Sequence, residues 1–400
     1  MINHLSVFMR HPAARATGLV FASMGLVFGS WAALIPYVKQ KYGLDEAQLG
    51  LLLLALPAGV TLMNPLSVPL LNRFGAAVTS QVSLVLSALL FILPFAVPYL
   101  WLTVVGLFLA GAAFSCTNVS MNTCASLLEQ RAGLRIISTC HGLWSTGAMI
   151  GSALASAVTG WGLQPTAYLA LLAFCEITIM LWIRRPLAGV PDDLPASNDA
   201  KAVGKSAGFV WPNKPLWLLI GISLCVNLAE GTMADWSAVY MREVVEVPGA
   251  MAGWGFAVYA FFMAGGRFLG DELIGRFSSR VVLRAGGWVV MAGLLAAVVL
   301  PGAGAVLAGF ALVGMGVSLG APILYAAAAR APGMAKGAGL ATMNTFAMIG
   351  FLGGPAFIGF LAKWVSLPAA FAVVAAFAGV WAFQAGRMKG EQRAESGIIF

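Results

Sequence analysis

Charged residues are scarce in this sequence. Asp, Glu, Lys and Arg make up 10 % of the 400 residues, whereas hydrophobic residues make up 60 %. A soluble globular domain carries about a quarter charged residues, and soluble cores of one or two domains cannot bury this much apolar surface. The composition therefore excludes a soluble protein and indicates a chain embedded in a membrane.

Motifs for nucleotide and metal binding are also missing. The sequence has no GxxxxGK[ST] phosphate-binding loop, which argues against a pump driven by ATP. Its five cysteines lie in or beside apolar segments without the spacing of metal ligands, as is typical of small hydrophobic residues. The basic residues, which give a net charge of +8, do not form the patch that nucleic acid requires. We therefore expect no cofactor, no metal, no nucleic-acid partner and no enzymatic activity.

The sequence is built instead from apolar blocks of roughly 17–25 residues, the length that crosses a bilayer as an α-helix. Lipid offers no hydrogen-bond partners, so such blocks are helices or barrel strands, and they lack the strict alternation of barrel strands. The sequence thus predicts an all-α membrane protein with twelve transmembrane helices. The predicted spans are residues 16–38, 46–70, 76–95, 101–127, 137–159, 167–183, 215–240, 250–270, 281–300, 305–328, 338–361 and 368–386.

The distribution of basic residues agrees with twelve spans. With both termini on one side, that side holds 18 Lys and Arg residues; the other side holds four, Lys39, Lys41, Arg242 and Lys363. The positive-inside rule then predicts cytoplasmic termini. The polar, proline-containing segment 184–214 is predicted to be a cytoplasmic linker between an N-terminal half (1–183) and a C-terminal half (215–386), with a cytoplasmic tail at 387–400.

The two predicted halves also resemble each other. A shift of 203 residues places Gly50 and Arg73 on Gly253 and Arg276, and a shift of 199 places residues 146–151 (TGAMIG) on 345–350 (TFAMIG). The matches keep the order of the spans. They predict two parallel six-helix repeats, an organisation in which the binding site lies between the halves near the middle of the membrane.

Four segments carry a family resemblance: residues 141–143 (HGL), 229–238 (AEGTMADWSA), 266–271 (GRFLGD) and 337–340 (GAGL). They resemble permeases of the major facilitator superfamily, in particular its bacterial fucose-permease-like branch. The resemblance implies the major facilitator fold, a monomer in the bacterial inner membrane, and transport of a small organic solute coupled to protons. The sequence departs from the family at Val68 and Asn72, where the loop motif usually has Gly and Asp, and it has no acid between residues 17 and 38, where the fucose symporter has one.

Acidic residues inside spans are candidates for proton coupling, because inserting an ionisable side chain costs about 2.5–3.5 kcal/mol. Glu230 is about ten residues from the outer end of the seventh span, which places it ~15 Å deep, near the midplane. Asp235 lies nearer the outer mouth, where it either takes part in coupling or closes that end. Glu230 is the first candidate, with a purely structural ion pair as its alternative. Glu176 in the sixth span has no assigned role.

Three further charged residues are predicted to act in gating. Arg267 and Asp271 are four residues apart in the eighth span, the spacing of a helical salt bridge, and we expect them to lock a helix or a gate rather than to bind substrate. Arg73 is the retained arginine of the loop that follows the second span.

Polar and aromatic residues of the spans are candidates for substrate contact. Amides both donate and accept hydrogen bonds, and a ring from each half could clamp a solute; the alternatives are hydrogen bonds between helices, a structural histidine, and a tryptophan belt at the membrane surface. The candidates are Asn118, Asn122, Asn227, Asn344, His141, Trp31, Trp144 and Trp236.

These observations predict a secondary transporter that works by alternating access. Proton symport of a sugar-like polar solute is the leading hypothesis, with Glu230 as the coupling residue. Proton-coupled efflux of a metabolite or drug is the alternative within transport. A membrane sensor or scaffold that moves no solute is the alternative from another class.

Overall fold

A computed structural model describes residues 8–132, 134, 136–190, 211–300, 302–334 and 338–388, except for the side chains of Asp271 and Ile349. The described chain is almost entirely helical and forms twelve long helical units, numbered in chain order. They are α1 (Pro12–Tyr42), α2 (Glu46–Leu53 and Ala55–Phe74), α3 (Ala76–Leu90 and Leu93–Ala96), α4 (Leu100–Ala132), α5 (Ile137–Gly160), α6 (Pro165–Leu187), α7 (Lys214–Glu243), α8 (Gly249–Ala252, Trp254–Phe268 and Gly270–Phe277), α9 (Ser279–Val299), α10 (Ala303–Val317 and Gly320–Ala329), α11 (Ala338–Trp364) and α12 (Leu367–Ala385).

The predicted all-α architecture with twelve helices is confirmed. Ten of the units are long and apolar enough to cross a membrane by length and composition alone. The other two are α5, which is rich in glycine, serine and threonine, and α8, which is broken at Gly253 and Leu269. These two helices pack against each other. Their lower hydropathy therefore reflects burial between helices rather than a wrong assignment.

An even number of spans puts the two described ends of the chain on one side of the bundle, which we call the terminal side; the opposite side is the far side. Residues 191–210, most of the predicted linker, and 389–400, most of the predicted tail, lie outside the described residues. Helix α6 continues four residues past the predicted boundary at 183, to Leu187. The basic pair Arg184 and Arg185 thus ends a helix rather than beginning the linker, in keeping with the negative dipole of a helix C-terminus.

Small residues allow the helices within a half to approach closely. Helix α1 crosses α5 at Gly25 and Gly29, where a Cβ on Gly29 would lie 2.0 Å from the carbonyl oxygen of Ala148. Gly147 and Gly151 of α5 face α1 in the same way. Small residues on both sides are the usual device for helix packing in lipid, where the hydrophobic effect does not drive helices together.

The two halves meet on the far side through two contacts related by the internal repeat. Gly50 of α2 faces α11, where its Cβ would lie 2.6 Å from the carbonyl oxygen of Pro355. Gly253 of α8 faces α5, where its amide donates to Ser156 at 2.6 Å and its carbonyl accepts from Ser152 at 2.7 Å. The shifts of 203 and 199 residues found in the sequence map Gly50 onto Gly253 and Ser156 onto Pro355. The repeat is therefore visible in how the halves touch.

Candidate functional site

A central cavity of about 290 Å³ lies between the halves. Eight helices, four from each half, supply its wall. Its mouth on the terminal side is marked by the exposed residues Asn118, Asn344 and Tyr325. The lining comprises Phe28, Leu56, Val60, Phe114, Ser115, Asn118 and Trp144 from the N-terminal half, and Asn227, Glu230, Gly231, Ala234, Phe256, Tyr259, Ala260, Met263, Arg267, Tyr325, Asn344, Ala347, Met348 and Phe351 from the C-terminal half. Both charged side chains of this lining belong to the C-terminal half.

Glu230 projects from α7 into the cavity wall. One of its carboxylate oxygens, Oε1, is buried and accepts no hydrogen bond from the residues that the structure describes. Tyr259 and Tyr325 line the cavity with it. A buried acceptor without a partner is costly, so this position favours a state in which the carboxyl group receives a proton or a donor from a ligand.

Arg267 of α8 lines the same cavity and links the two halves. Its Nη1 atom donates to the hydroxyl of Ser145 on α5 at 2.9 Å. Among the described side chains, no nitrogen of Arg267 comes within 4.0 Å of a Glu230 oxygen, since the ion pairs found lie elsewhere. The side chain of Asp271 lies outside the described residues, so the Arg267–Asp271 pair stays a prediction.

Three of the four candidate asparagines line the cavity. Asn118 lies on the N-terminal wall, and Asn227 and Asn344 lie on the C-terminal wall. Asn122 does not line the cavity; its amide donates to the carbonyl oxygen of Asn118 at 2.8 Å and to the Asn118 side chain at 3.1 Å. Asn122 thus lies one helical turn after Asn118 on α4, where its amide holds the side chain of this cavity residue.

Aromatic rings form a continuous surface on one side of the cavity. Phe28 of α1 is its centre, with ring-centroid distances of 5.6 Å to Phe114, 5.9 Å to Trp144 and 6.1 Å to Phe256. Only Trp144 was a candidate from the sequence. The phenylalanines escaped notice because the chain has 24 of them, and nothing in the local sequence separates a cavity phenylalanine from one that faces lipid.

Asp235 and Trp31 line a second, smaller cavity between the central cavity and the far side. Its volume is about 30 Å³, close to that of one water molecule. Asn227 and Gly231 belong to the walls of both cavities. Trp31 is buried and stacks on Phe91 at 5.4 Å, so it lies neither in the central cavity nor in an interfacial belt.

Three other candidates lie away from the central cavity. Trp236 is buried in the helix bundle, and its Nε1 has no partner, so Trp31 and Trp236 do not face each other as a clamp. His141 packs edge-on against Phe21 at a centroid distance of 5.2 Å. Arg73 lies at the end of α2 with its guanidinium 5.3 Å from the ring of Phe74.

Glu176 of α6 is fully buried and does not line the central cavity. Within the described part of the chain, neither carboxylate oxygen makes a hydrogen bond of normal geometry. The hydroxyl of Ser23 on α1 is a polar group that interacts with the carboxyl group. Tyr168, about two turns nearer the far side, bonds to Ser30 at 2.8 Å. The carboxyl group of Glu176 is therefore enclosed within the N-terminal half.

Ion pairs join the halves on the far side, and the sequence interpretation missed them. Lys39 of α1 is almost buried and contacts Glu243 of α7 at 2.6 Å and Glu46 of α2 at 2.9 Å. Lys363 of α11 contacts Asp45 at 2.9 Å. The short far-side loops carry both acidic and basic residues, which indicates that ion pairs can form there. The partners are 204 and 318 residues apart in the sequence, so they cannot be matched without the fold.

Asp45 also caps α2. Its side chain accepts from the amide of Gln48 at 2.8 Å. That backbone hydrogen bond first, and the ammonium group of Lys363 second, hold the pKa of Asp45 below its ordinary value of 3.8. The Asp45 carboxylate that pairs with Lys363 is therefore ionised at neutral pH. Its charge, and the ion pair with it, is lost only as the pH falls through the lowered pKa of Asp45.

The cavity is thus closed on the far side by ion pairs and close helix contacts. The other two far-side basic residues bond within one half: Lys41 donates to the carbonyl of Val97 at 2.6 Å, and Arg242 donates to that of Val247 at 3.0 Å. A chamber between two repeats, closed at one end, can enclose a small solute. Within the described residues, no group of His, Cys, Asp and Glu could hold a metal ion.

Comparisons with known proteins agree with this arrangement. A family model for the Major Facilitator Superfamily matches residues 16–251. An uncharacterized MFS-type transporter of Yersinia pestis is 33 % identical over 369 residues, which cover 90 % of this chain and 91 % of the relative.

Two solved structures share the fold. A D-xylose-proton symporter superimposes with a TM-score of 0.66 at 13 % identity and covers 94 % of this chain and 98 % of its own. FucP in the outward conformation superimposes with a TM-score of 0.58 at 18 % identity and covers 92 % of this chain and 98 % of its own. These likenesses confirm the predicted fold and the resemblance drawn from the sequence. The chain is a multi-pass membrane protein that belongs to the Major Facilitator Superfamily of transporters.

Proposed function

We propose that this protein moves a small organic solute by alternating access, with protonation of Glu230 as the coupling event. The observation that carries the proposal is the Glu230 carboxyl group, which lies in the wall of the cavity between the halves with one buried, unpartnered oxygen. A carboxyl group that needs either a proton or a hydrogen-bond donor from a ligand at this buried position couples proton binding to solute binding.

The proposed direction is uptake into a bacterium across the inner membrane, with both termini in the cytoplasm. The excess of basic residues on the terminal side supports that orientation. With the far side closed, the cavity would then communicate with the cytoplasm, as in the step at which a symporter releases its solute. A sugar-like polar solute, the expectation from the sequence, agrees with Asn118, Asn227 and Asn344 in the lining.

The test is uptake of radiolabelled sugars, polyols and their aryl derivatives by purified protein in liposomes. A pH gradient, acid outside, should drive accumulation in the wild type. Glu230→Gln should lose gradient-driven accumulation but keep exchange of labelled for unlabelled solute, because exchange needs no net proton movement. Glu176→Gln, which changes a buried acid outside the cavity, is the matched control and should behave like the wild type.

One result would overturn the coupling assignment. If the wild type accumulates no more solute with the gradient than without it, and Glu230→Gln moves solute at the same rate, Glu230 does not couple transport to protons. Proton-coupled efflux is the second candidate, and the aromatic lining of the cavity favours it for apolar solutes. Solute loss from loaded liposomes that accelerates only when protons flow in the opposite direction would identify efflux.

A further inference from the structure

We propose that the substrate is a hydroxylated solute that carries one aromatic ring, bound with its ring on the aromatic surface centred on Phe28 and its hydroxyl groups on the polar side chains of α7 and α11. The inference rests on the proposed transport function and specifies the substrate class of the same cavity. It narrows the sugar-like solute expected from the sequence to an aryl glycoside or a solute of similar chemistry.

The aromatic surface of the cavity is built for a flat apolar group. Its rings come from both halves: Phe28, Phe114 and Trp144 from the N-terminal half, and Phe256 and Tyr259 from α8 of the C-terminal half. Phe28 contacts the rings of Phe114, Trp144 and Phe256 at centroid distances between 5.6 and 6.1 Å, and Phe256 contacts Tyr259 at 5.6 Å. All five rings line the cavity. They are arranged at tilted or edge-on angles, the geometry in which a further ring packs favourably.

Groups for hydrogen bonds and charge come from α7 and α11, together with Arg267 at the end of a segment of α8. Asn227 and Asn344 present amides, and Glu230 presents a carboxyl group with a buried oxygen that lacks a partner. Arg267 engages Ser145 through one of its nitrogen atoms and lines the cavity with the rest of its side chain.

A solute with only one of the two characters would match the cavity poorly. A bare sugar carries hydroxyl groups around its whole edge, and those turned toward Phe28 and Phe114 would lose their hydrogen bonds to water without replacement. A purely apolar solute would leave the amides of Asn227 and Asn344 and the carboxyl group of Glu230 unpaired. The volume of about 290 Å³ lies at the low end of small-molecule sites, which suits one ring with a hydroxylated substituent rather than an oligosaccharide or a lipid.

The test compares matched probes on the purified, detergent-solubilised full chain. Phenyl β-D-glucoside and methyl β-D-glucoside share the sugar and differ in the ring, and phenol supplies the ring without the sugar. Calorimetric titration should show phenyl β-D-glucoside binding about ten-fold or more tightly than either, because burying a phenyl ring is worth about 1.5–3 kcal/mol and each 1.4 kcal/mol is ten-fold.

A conservative variant tests the location of the ring. Phe28→Leu keeps an apolar side chain but removes the centre of the aromatic surface, and it should reduce the advantage of the phenyl over the methyl glucoside by about three-fold or more. Phe114→Leu is a second variant at another ring of the surface, in case Phe28→Leu fails to fold. Phe357→Leu, at an exposed phenylalanine of α11 outside the cavity, is the control and should leave the ratio unchanged.

The proposal is overturned if methyl β-D-glucoside binds as tightly as the phenyl compound, if phenol does, or if phenyl β-D-glucoside does not bind at millimolar concentration. These results leave the transport mechanism standing if another solute is still accumulated by a pH gradient and lost in Glu230→Gln. Conversely, the expected binding with no gradient-driven flux would retain the substrate class and reject the coupling.

Discussion

At the scale of single residues, the acids within the spans occupy two kinds of environment. Glu230 and Asp235 each face a cavity, where water or a ligand can supply a partner. Glu176 is enclosed by α1 and its own helix, with the hydroxyl of Ser23 as the polar group that interacts with it. An isolated charge in such surroundings is far more costly than a neutral group. We therefore expect Glu176 to be carried as a neutral carboxylic acid that packs and does not couple.

Substituting Glu176 tests this role. Glu176→Gln has the size and polarity of the neutral acid and should change the free energy of unfolding by no more than about 1 kcal/mol, with solute uptake retained. Glu176→Ala should lower it by about 2–5 kcal/mol, the usual cost of truncating a large buried side chain. Thermal unfolding in detergent and uptake in liposomes measure both. Loss of uptake in a well-folded Glu176→Gln would instead place this residue in the transport cycle.

Sequence reasoning found the polar part of the site and missed the aromatic part. Glu230, Asn118 and Asn344 stand out because polar residues are rare in apolar spans and therefore carry information. Phe28 and Phe114 do not, because the membrane itself accepts phenylalanine at any lipid-facing position. The same reasoning could not separate Trp31 from Trp144, since burial on one face of a helix depends on neighbours that are distant in the sequence.

At the scale of elements, the most extensive packing between the halves is in two helix pairs, α2 with α11 and α5 with α8, and α1 also packs against α7. Gly50 and Gly359 meet backbone to backbone in the first pair: a Cβ on Gly359 would lie 2.5 Å from the carbonyl oxygen of Glu46. Side chains at these positions cannot be accommodated without moving a helix. The far-side closure therefore depends on the absence of side chains, and not on charge alone.

Enlarging Gly50 should wedge the far side open. In Gly50→Val we expect solute uptake to fall by an order of magnitude or more, because overpacking of this kind typically costs 1–3 kcal/mol, while the protein still folds. Labelling of Ala234→Cys, in a variant without the native cysteines, by a membrane-impermeant maleimide on the far side should become faster. Gly353→Val, on α11 where a Cβ meets nothing within 4 Å, should label and transport like the parent. Unchanged labelling in Gly50→Val would show that this contact does not control access.

Spans were easier to predict than the breaks inside them. The twelve helices follow from the length of apolar blocks, because each block must satisfy its backbone hydrogen bonds within itself. The interruption at Leu54 has a local cause that the span prediction passed over: Pro57 cannot donate a hydrogen bond to the carbonyl oxygen of Leu53, and its ring crowds that carbonyl. The interruption at Leu269 lies among Arg267, Gly270 and Asp271, and the sequence pattern did not separate a break there from a continuous span.

At the scale of the whole molecule, Lys39 joins carboxylates from both halves. Removing its charge in Lys39→Met should favour the state that is open on the far side by between the ~1 kcal/mol of an exposed ion pair and the ~3 kcal/mol of breaking a buried one. Far-side labelling of Ala234→Cys should then rise by about five-fold or more. Lys41→Met removes a neighbouring ammonium group that bonds within the N-terminal half and is the control. Equal labelling in the two variants would assign no gating role to Lys39.

The internal repeat was predictable, but the state of the molecule was not. Gly50 and Gly253 match across the halves in the sequence, and the structure uses both at equivalent contacts. In the proposed alternating access, the closure of the far side is one of two arrangements of the same sequence, so no pattern of residues selects between them. The pairs of Lys39 and Lys363 would then belong to one arrangement only, and spacing along the chain does not predict them.

The two repeat-related contacts, Gly50 with Pro355 and Gly253 with Ser156, also have a mechanical consequence. A rigid body held at two points keeps a single degree of freedom, rotation about the line through those points. While both contacts hold, one half can move against the other only by turning about that axis. Both points lie on the far side, so turning about this axis widens or narrows the mouth on the terminal side and leaves the far mouth closed. The far mouth can open only when at least one of the two contacts separates.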